Sequence, residues 1–270
     1  MPTYRDEAVV LRTQGLGEAD RIVTLFGKEH GRIRAVGRGV RRTSSKFGAR
    51  LEPFTVVDLQ CYEGRSLDTV TQAVTLATYG SGIAEDYDAY AAANAMVETV
   101  ERLVDEGDAA PQQYFLLIGG LRALSRGDHA VRLTLDSYLL RAFALAGWRP
   151  ALEQCARCEE AGPHPFFSPS LGGALCARHA PPGSARVEPE TLRHLAALLA
   201  GDWEVAEATD AGEQRRASAV VAAYVQFHLE RHLRSLDVLE GERERQWIAA
   251  ASAVRPSPRP ASTTTEDRTT

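Results

Sequence analysis

Residues 31–51 read GRIRAVGRGVRRTSSKFGARL, and their pattern decides how the first part of the chain is interpreted. From Gly31 to Val40, basic residues alternate with small or apolar ones, which is typical of a β-strand with one face in a core and the other in water. One face would carry Arg32, Arg34, Val36 and Arg38, and the other Ile33, Ala35 and Gly37. The second half, GVRRTSSKFGAR, is rich in Gly and Ser and predicts a mobile polar loop.

The same stretch is strongly basic, although the whole chain has a formal net charge of −5. It holds no carboxylate and seven cationic side chains: Arg32, Arg34, Arg38, Arg41, Arg42, Lys46 and Arg50. A strand spaces its outward arginines about 6 to 7 Å apart, on the scale of nucleic-acid phosphates, which arginine binds bidentately. We therefore predict that these seven residues bind nucleic acid. The alternative is a solvated edge strand whose charges only discourage aggregation.

Composition places the chain among ordinary globular proteins. Of its 270 residues, 44% are hydrophobic and 25% are charged. No apolar run approaches the roughly 18 to 20 residues of a membrane span, and MPTYRDEAVV does not resemble a signal sequence. These features predict a soluble cytoplasmic protein. Residues 1–80 hold 12 Lys and Arg against 9 Asp and Glu, whereas residues 81–270 hold 19 against 27, so only the first part is basic.

Five strands are predicted in the first 80 residues, with no long helix among them. They are Tyr4–Thr13, Asp20–Gly27, Gly31–Val40, Leu51–Glu63 and Leu67–Tyr79. Five short strands in about 75 residues predict a small closed barrel, and the five-stranded OB-fold, which binds single-stranded nucleic acid, is the obvious candidate. Of its aromatic residues Tyr4, Phe26, Phe47, Phe54 and Tyr62, most should lie in the core. Phe47, inside the polar loop, is the best candidate for stacking on a base.

After Ser81 the apolar residues recur with helical spacing. Helices are predicted at Ala84–Glu106, Pro111–Ser125, His129–Ala146, Glu188–Ala200 and Glu213–Leu239. The end of the chain, rich in Arg, Pro, Ser and Thr, should be disordered. The predicted fold is thus multidomain α+β: an OB-fold barrel in 1–80, a helical domain in 81–240 and a disordered tail in 241–270.

A cluster of cysteines interrupts the helical part at 151–182. Cys155 and Cys158 are separated by two residues, then 17 residues precede Cys176, which is followed at the same spacing by His179. Two short knuckles at this separation are typical of a zinc ribbon, and four protein ligands make a structural rather than catalytic Zn²⁺ site. The alternative is three reduced cysteines and a surface histidine. His164 is a weaker ligand candidate because it belongs to no knuckle, and Cys61 is interpreted as a core residue.

Motifs for catalysis are absent from the sequence. There is no P-loop, and Gly15-Leu16-Gly17 lacks the third glycine of a dinucleotide site. His228 and His232 have a spacing that can hold zinc, but HLERH does not match HExxH, so a charged helix surface explains them better. With no defensible nucleophile–base pair, we expect no enzymatic activity and no small-molecule substrate.

Taken together, these residues resemble the RecO family of bacterial recombination mediators. The resemblance spans roughly residues 3–240 and is most specific in YRDEAVVLRTQGLGEADRIVTLFGKEHGRIRAVGRGVRR. It implies an OB-fold followed by a helical domain, binding to single- and double-stranded DNA at the nucleoid, and annealing of complementary strands. It also implies help in loading RecA onto DNA coated with single-strand-binding protein, with RecR and the acidic tail of single-strand-binding protein as partners.

The family's basic surface maps here to Arg32, Arg34, Arg38, Arg41, Arg42 and Lys46. One departure concerns the metal site: family members with the insert commonly have four cysteines, whereas His179 takes the fourth place here. Cys3His is also a valid zinc set. Two other hypotheses remain: an RNA-binding or ribosome-associated zinc-ribbon protein, and a zinc-dependent hydrolase.

Overall fold

The first 80 residues form a closed five-stranded barrel in the computed structural model, which describes residues 2–43, 45 and 47–229. Its strands are β1 (Thr3–Leu16), β2 (Asp20–Gly27), β3 (Gly31–Gly37), β4 (Thr55–Tyr62) and β5 (Asp68–Thr78). Neighbouring strands are antiparallel except β3 and β5, which run parallel and close the barrel through Ala35 opposite Asp68 and Val36 opposite Thr69. This order, β1-β2-β3-β5-β4, confirms the predicted OB-fold.

Strand β1 explains why the sequence AVVL is apolar at four successive positions. Ala8 and Val10 point into the barrel core, while Val9 and Leu11 belong to a second core that the barrel shares with the helices. Because successive side chains of a strand point to opposite faces, a strand covered on both sides is continuously apolar. Described residues of the barrel and of the helices thus lie in one compact unit. The proposed domain boundary near residue 80 stays a prediction.

The fourth strand begins later than predicted. Residues 48–51 form a short 3-10 turn, and the chain reaches β4 only at Thr55. Pro53 lacks an amide hydrogen for strand pairing, and Phe54 has a left-handed backbone with φ of 64°. These two residues set the start of β4.

Seven helices lie among the described residues. They are α1 (Gly80–Ala84), α2 (Tyr87–Leu103), α3 (Pro111–Arg126), α4 (Val131–Leu145), α5 (Pro189–Ala200), α6 (Trp203–Ala208) and α7 (Ala211–Leu229). The central helix is α4, whose buried residues include Leu135 and Phe143. No helix in the described part of the chain is long and apolar enough to cross a membrane.

Helix ends follow the local capping signals. The Asp86 carboxylate accepts from the backbone amides of Asp88 and Ala89 and starts α2, which divides the predicted helix 84–106 from α1. Pro111 occupies the first turn of α3, and Gly127 in the left-handed conformation ends that helix. Helix α6 was not predicted. The remainder of the predicted last helix and the predicted disordered tail 241–270 lie outside the described residues.

The insert between α4 and α5 contains a small three-stranded sheet of order β7-β6-β8, formed by β6 (Phe166–Ser168), β7 (Gly173–Leu175) and β8 (Ala185–Arg186). Gly172, with φ of 81°, closes the β6–β7 hairpin. Gly173 is required because a Cβ there would lie 2.3 Å from the carbonyl oxygen of Ala151. The close approach of the two backbones holds β7 beside Ala151, at the point where the chain enters the insert.

Candidate nucleic-acid interface and metal centre

Strand β3 has the predicted alternation. Ile33 and Ala35 are buried in the barrel core, Arg34 is exposed, and Val36 is half-buried. The predicted apolar face is therefore the inner face of the barrel, and the arginines lie on its outer surface. This geometry is the one that phosphate binding along a strand requires.

Arg32 differs from the other arginines of the stretch. Its Nη1 donates to the carbonyl oxygen of Glu101 in α2 over 2.7 Å, and the backbone amide of Arg32 donates to the carbonyl of Asp105. The side chain is half-buried. Arg32 therefore ties β3 to the helices, and only part of its guanidinium faces solvent.

The remaining predicted cations surround the loop that follows β3. Arg38, Arg41, Arg42 and Arg50 are exposed, and Lys46 lies outside the described residues. Arg41 donates to the carbonyl of Gly17 over 3.3 Å, while the amide of Gly39 donates to Asp20 over 2.8 Å. These contacts hold the start of the loop beside the β1–β2 turn. Within the described residues, Arg34, Arg38 and Arg42 form no ion pair.

The prediction that Phe47 is a stacking residue is wrong. Phe47 is only 2% exposed and packs in the barrel core with Val40 and Leu51. The loop folds back over the barrel, so Phe47 enters the core while Arg41, Arg42 and Arg50 remain exposed. Phe26 and Phe54 are buried as expected, Tyr62 is exposed, and Tyr4 is half-buried.

The structure brings the four predicted metal ligands together. One ligand atom from each of Cys155, Cys158, Cys176 and His179 lies within 4.8 Å of all the others. The Sγ atoms of Cys158 and Cys176 are 4.0 Å apart, and Sγ of Cys176 is 3.2 Å from Nδ1 of His179. Tetrahedral zinc with bonds of about 2.3 Å to sulfur would separate two sulfur atoms by about 3.8 Å. The donor set therefore fits a tetrahedral metal ion.

Two similar turns aim the ligands at one point. In the first knuckle the amide of Glu159 donates to the carbonyl of Cys155 over 2.9 Å, and in the second the amide of Ala180 donates to the carbonyl of Cys176 over 3.1 Å. Arg178 donates to Glu160 over 2.7 Å and thereby links the knuckles, and this contact lowers the pKa of the Glu160 carboxyl.

Cys155 and Cys176 are the buried members of the cluster, and Cys155 is fully buried. Burial raises the pKa of its thiol, but backbone amides, first that of Cys176, donate to the sulfur and outweigh burial, so the pKa falls to about 6. Amide donors favour the thiolate over the thiol. Cys155 is therefore prepared to bind a cation.

Other candidate ligands do not join this cluster. His164 is buried, and its Nε2 lies 2.8 Å from the carbonyl oxygen of Glu160. Cys61 lies in the barrel core, where burial raises its pKa to about 12. His228 packs among Trp148, Phe143 and Tyr224, and His232 lies outside the described residues.

Sequence reasoning missed a groove between α3 and α4, with a volume of about 720 Å³. Arg122, Arg141 and Arg149 line it together with Phe115 and Leu145, two apolar residues that are about half exposed. The residues that line the groove also include one carboxylate, that of Asp128. The sequence predicts a helix at His129–Ala146, but its helical pattern does not reveal which end stays uncovered.

Comparison with known protein families gives two matches along the chain. Residues 1–79 match the model described as "Recombination protein O N terminal", and residues 84–237 match "Recombination protein O C terminal". Together they span the barrel, the helices and the cysteine insert.

Curated relatives give the same result. A protein named "DNA repair protein RecO" from a Nocardioides species is 55% identical over 241 residues, covering 88% of this chain and 99% of the relative. A protein of the same name from Streptomyces griseus is 52% identical, over 89% of this chain and 100% of the relative. Another from Thermobifida fusca is 53% identical, over 89% of this chain and 99% of the relative.

Proposed function

Because the chain belongs to the recombination protein O (RecO) family, we propose that it is a DNA-binding mediator of recombinational DNA repair that catalyses no reaction of its own. Its relatives carry the name DNA repair protein. The observation that carries the proposal is the outer face of the barrel, where Arg34, Arg38, Arg41 and Arg42 are exposed on and beside β3. OB-fold barrels bind single strands on this region.

The proposed activity is annealing of complementary strands. Two strands repel each other through their phosphates, and arginines that contact both would lower this repulsion and release counterions. The cations are spread over a strand and a loop, so they can bind backbone without reading sequence. DNA of any sequence should therefore be bound and annealed.

We further propose that the protein works with RecR to help load RecA onto DNA coated with single-strand-binding protein. The groove between α3 and α4 supports a contact with the acidic tail of single-strand-binding protein. Arg122, Arg141 and Arg149 can pair with carboxylates, while Phe115 and Leu145 offer apolar surface. The barrel would bind DNA while the helical part recruits the coated substrate.

The metal centre is proposed to hold Zn²⁺ in a structural role. Cys155, Cys158, Cys176 and His179 supply four ligands, which leaves no coordination position for a water molecule. A bound ion would crosslink the two knuckles of the insert. This argues against the zinc-dependent hydrolase hypothesis.

A strand-annealing assay with two complementary fluorescent oligonucleotides tests the function. Without nucleotide triphosphate, we expect annealing faster than the protein-free rate at low salt and slower annealing at moderate salt. If five cations contact phosphate on a single strand, log K should fall against log salt with a slope of about −3 to −4. A flat salt response would contradict the electrostatic mechanism. Preference for RNA in a competition assay would favour the RNA-binding hypothesis instead.

A further inference from the structure

His30, in the turn between β2 and β3, is held by a buried carboxylate. Its backbone amide and its ring Nδ1 each lie 3.0 Å from Oδ2 of Asp6, and the amide of Glu29 lies 3.2 Å from the same carboxylate. The Asp6 side chain is fully buried, and a Cβ at Gly27 would lie 2.3 Å from it. The carboxylate therefore has a fixed position, and it fixes the imidazole.

Tyr4 holds the ring from one side. Its ring stacks on that of His30 with centroids 4.4 Å apart and an interplanar angle of 30°. The Tyr4 hydroxyl donates to Asp68, which also accepts from the amide of Gly64 over 3.0 Å. Tyr4 itself packs against the barrel core. His30 is thus a pre-organised aromatic surface and not a freely rotating side chain.

The His30 side chain nevertheless remains 42% exposed. It lines a pocket of about 390 Å³ together with Tyr4, Arg32, Arg34 and Arg65. This volume lies within the range of about 300 to 1,000 Å³ that small-molecule sites occupy. Arg34 belongs both to this pocket and to the exposed face of β3, so the pocket opens beside the proposed DNA track.

Charge in the pocket favours a base over a phosphate. Glu63, Asp68 and Glu106 line it as well. These three carboxylates offset the charges of Arg32, Arg34 and Arg65, which line the same pocket, and they accept hydrogen bonds from the N–H groups of a nucleobase. The guanidinium group of Arg65 can donate to the carbonyl oxygens of the same base, while Arg34, which is also exposed on the outer face of β3, contacts phosphate. Phosphates would instead remain on the exposed arginines of β3 and the following loop.

We propose that this pocket receives one unstacked base of single-stranded DNA, which stacks on His30 while neighbouring phosphates lie along β3. The proposal deepens the proposed function and rests on it. A purely structural role for the ring explains less, because the turn already has backbone hydrogen bonds from Glu29 and His30 to Asp6. The base contact would also favour single over double strands, since paired bases are not available for stacking.

The test compares two ligands of equal charge: a 15-nucleotide oligothymidine and an abasic oligonucleotide of the same length. The native protein should bind oligothymidine more tightly. Base–aromatic stacking accounts for a factor of about ten per base, so His30→Ala should remove about tenfold of this preference, and His30→Phe should retain it. The matched control is His129→Ala, because His129 also pairs with a carboxylate, Glu207, and stacks on a ring, Trp203. The control should leave the ratio unchanged.

A measurement on the native chain makes the test independent of folding of the alanine variant. The ring carbon signal of His30, assigned by its loss in His30→Phe, should shift upfield with oligothymidine and not with the abasic ligand. An unshifted signal, or an unchanged affinity ratio in folded His30→Ala, would overturn the base pocket. Arg34→Ala combined with Arg38→Ala should weaken binding of both ligands alike. If the native protein binds neither ligand, the proposed function itself fails.

Discussion

The basic surface of β3 and the following loop and the metal-ligand cluster of the insert arrange their functional side chains in opposite ways. On β3 and its loop, cations lie apart on an open surface, where each contributes a separate contact to phosphate. In the insert, Cys155, Cys158, Cys176 and His179 converge within 4.8 Å. A dispersed site should lose affinity by degrees as residues are removed, whereas a converged site should fail when one ligand is lost.

The largest effect is expected at the metal site. Cys155→Ser should abolish bound zinc, because three ligands no longer complete the tetrahedron. The apolar cluster around Cys155, Leu175 and Cys176 is separate from the main core. Proteolysis of the insert should therefore become at least about tenfold faster, while strand annealing is retained. Elemental analysis and limited proteolysis measure both effects, with Cys61→Ala as a control that keeps its zinc. Loss of annealing together with zinc would show that the two sites are coupled.

The second largest effect is expected for Phe47, which the sequence predicted to stack on a base and which the structure places in the barrel core. Phe47→Ala should lower the free energy of unfolding by about 3 to 5 kcal/mol, because it leaves a cavity in the barrel core. Phe47→Leu should cost less, about 1 kcal/mol. Urea unfolding measures both variants. Oligonucleotide affinity, measured where each variant is folded, should be nearly unchanged, and a loss of affinity larger than the loss in His30→Ala would restore Phe47 as a stacking residue.

The smallest effect on stability is expected on the basic surface. Arg34→Ala with Arg38→Ala should leave the free energy of unfolding within about 0.5 kcal/mol of the original, because both side chains are exposed. Binding should weaken equally for all sequences, and the salt slope should become shallower by about 1.4, or 0.7 for each lost phosphate contact. Arg126→Ala with Arg186→Ala removes two exposed arginines outside the basic surface and is the control. Sequence-selective loss of binding would count against backbone contacts.

Sequence periodicity was sufficient wherever local geometry decides the position of a side chain. Alternation along residues 31–37 placed Ile33 inside the barrel and Arg34 outside, because a strand has a period of two. Two-residue gaps placed the metal ligands on tight turns for a similar reason. In both cases the relevant distances are set by a few neighbouring residues.

Prediction failed where a position depends on distant parts of the chain. Phe47 lies in a polar loop, but the loop folds back so that Phe47 packs beside Val40 and Leu51. His30 appears in the sequence only as part of a short turn, and its carboxylate partner, Asp6, precedes it by 24 residues. In the groove between α3 and α4, Phe115 and Leu145 stay about half exposed because of how the helices pack together. Such features require tertiary contacts that no spacing rule contains.

The second core of the barrel has a practical consequence for dissecting this protein. Val9, Leu11, Phe26, Phe54 and Val56 are turned away from the barrel interior and share a core with residues of the helices such as Met96 and Leu121. A protein fragment that ends near residue 80, where the sequence changes from strands to helices, would expose these side chains to solvent. Such a fragment would keep the complete basic strand but would also expose an apolar surface. Its self-association would easily be mistaken for cooperative assembly on DNA. The point at which the sequence changes character is therefore a poor place to cut the chain.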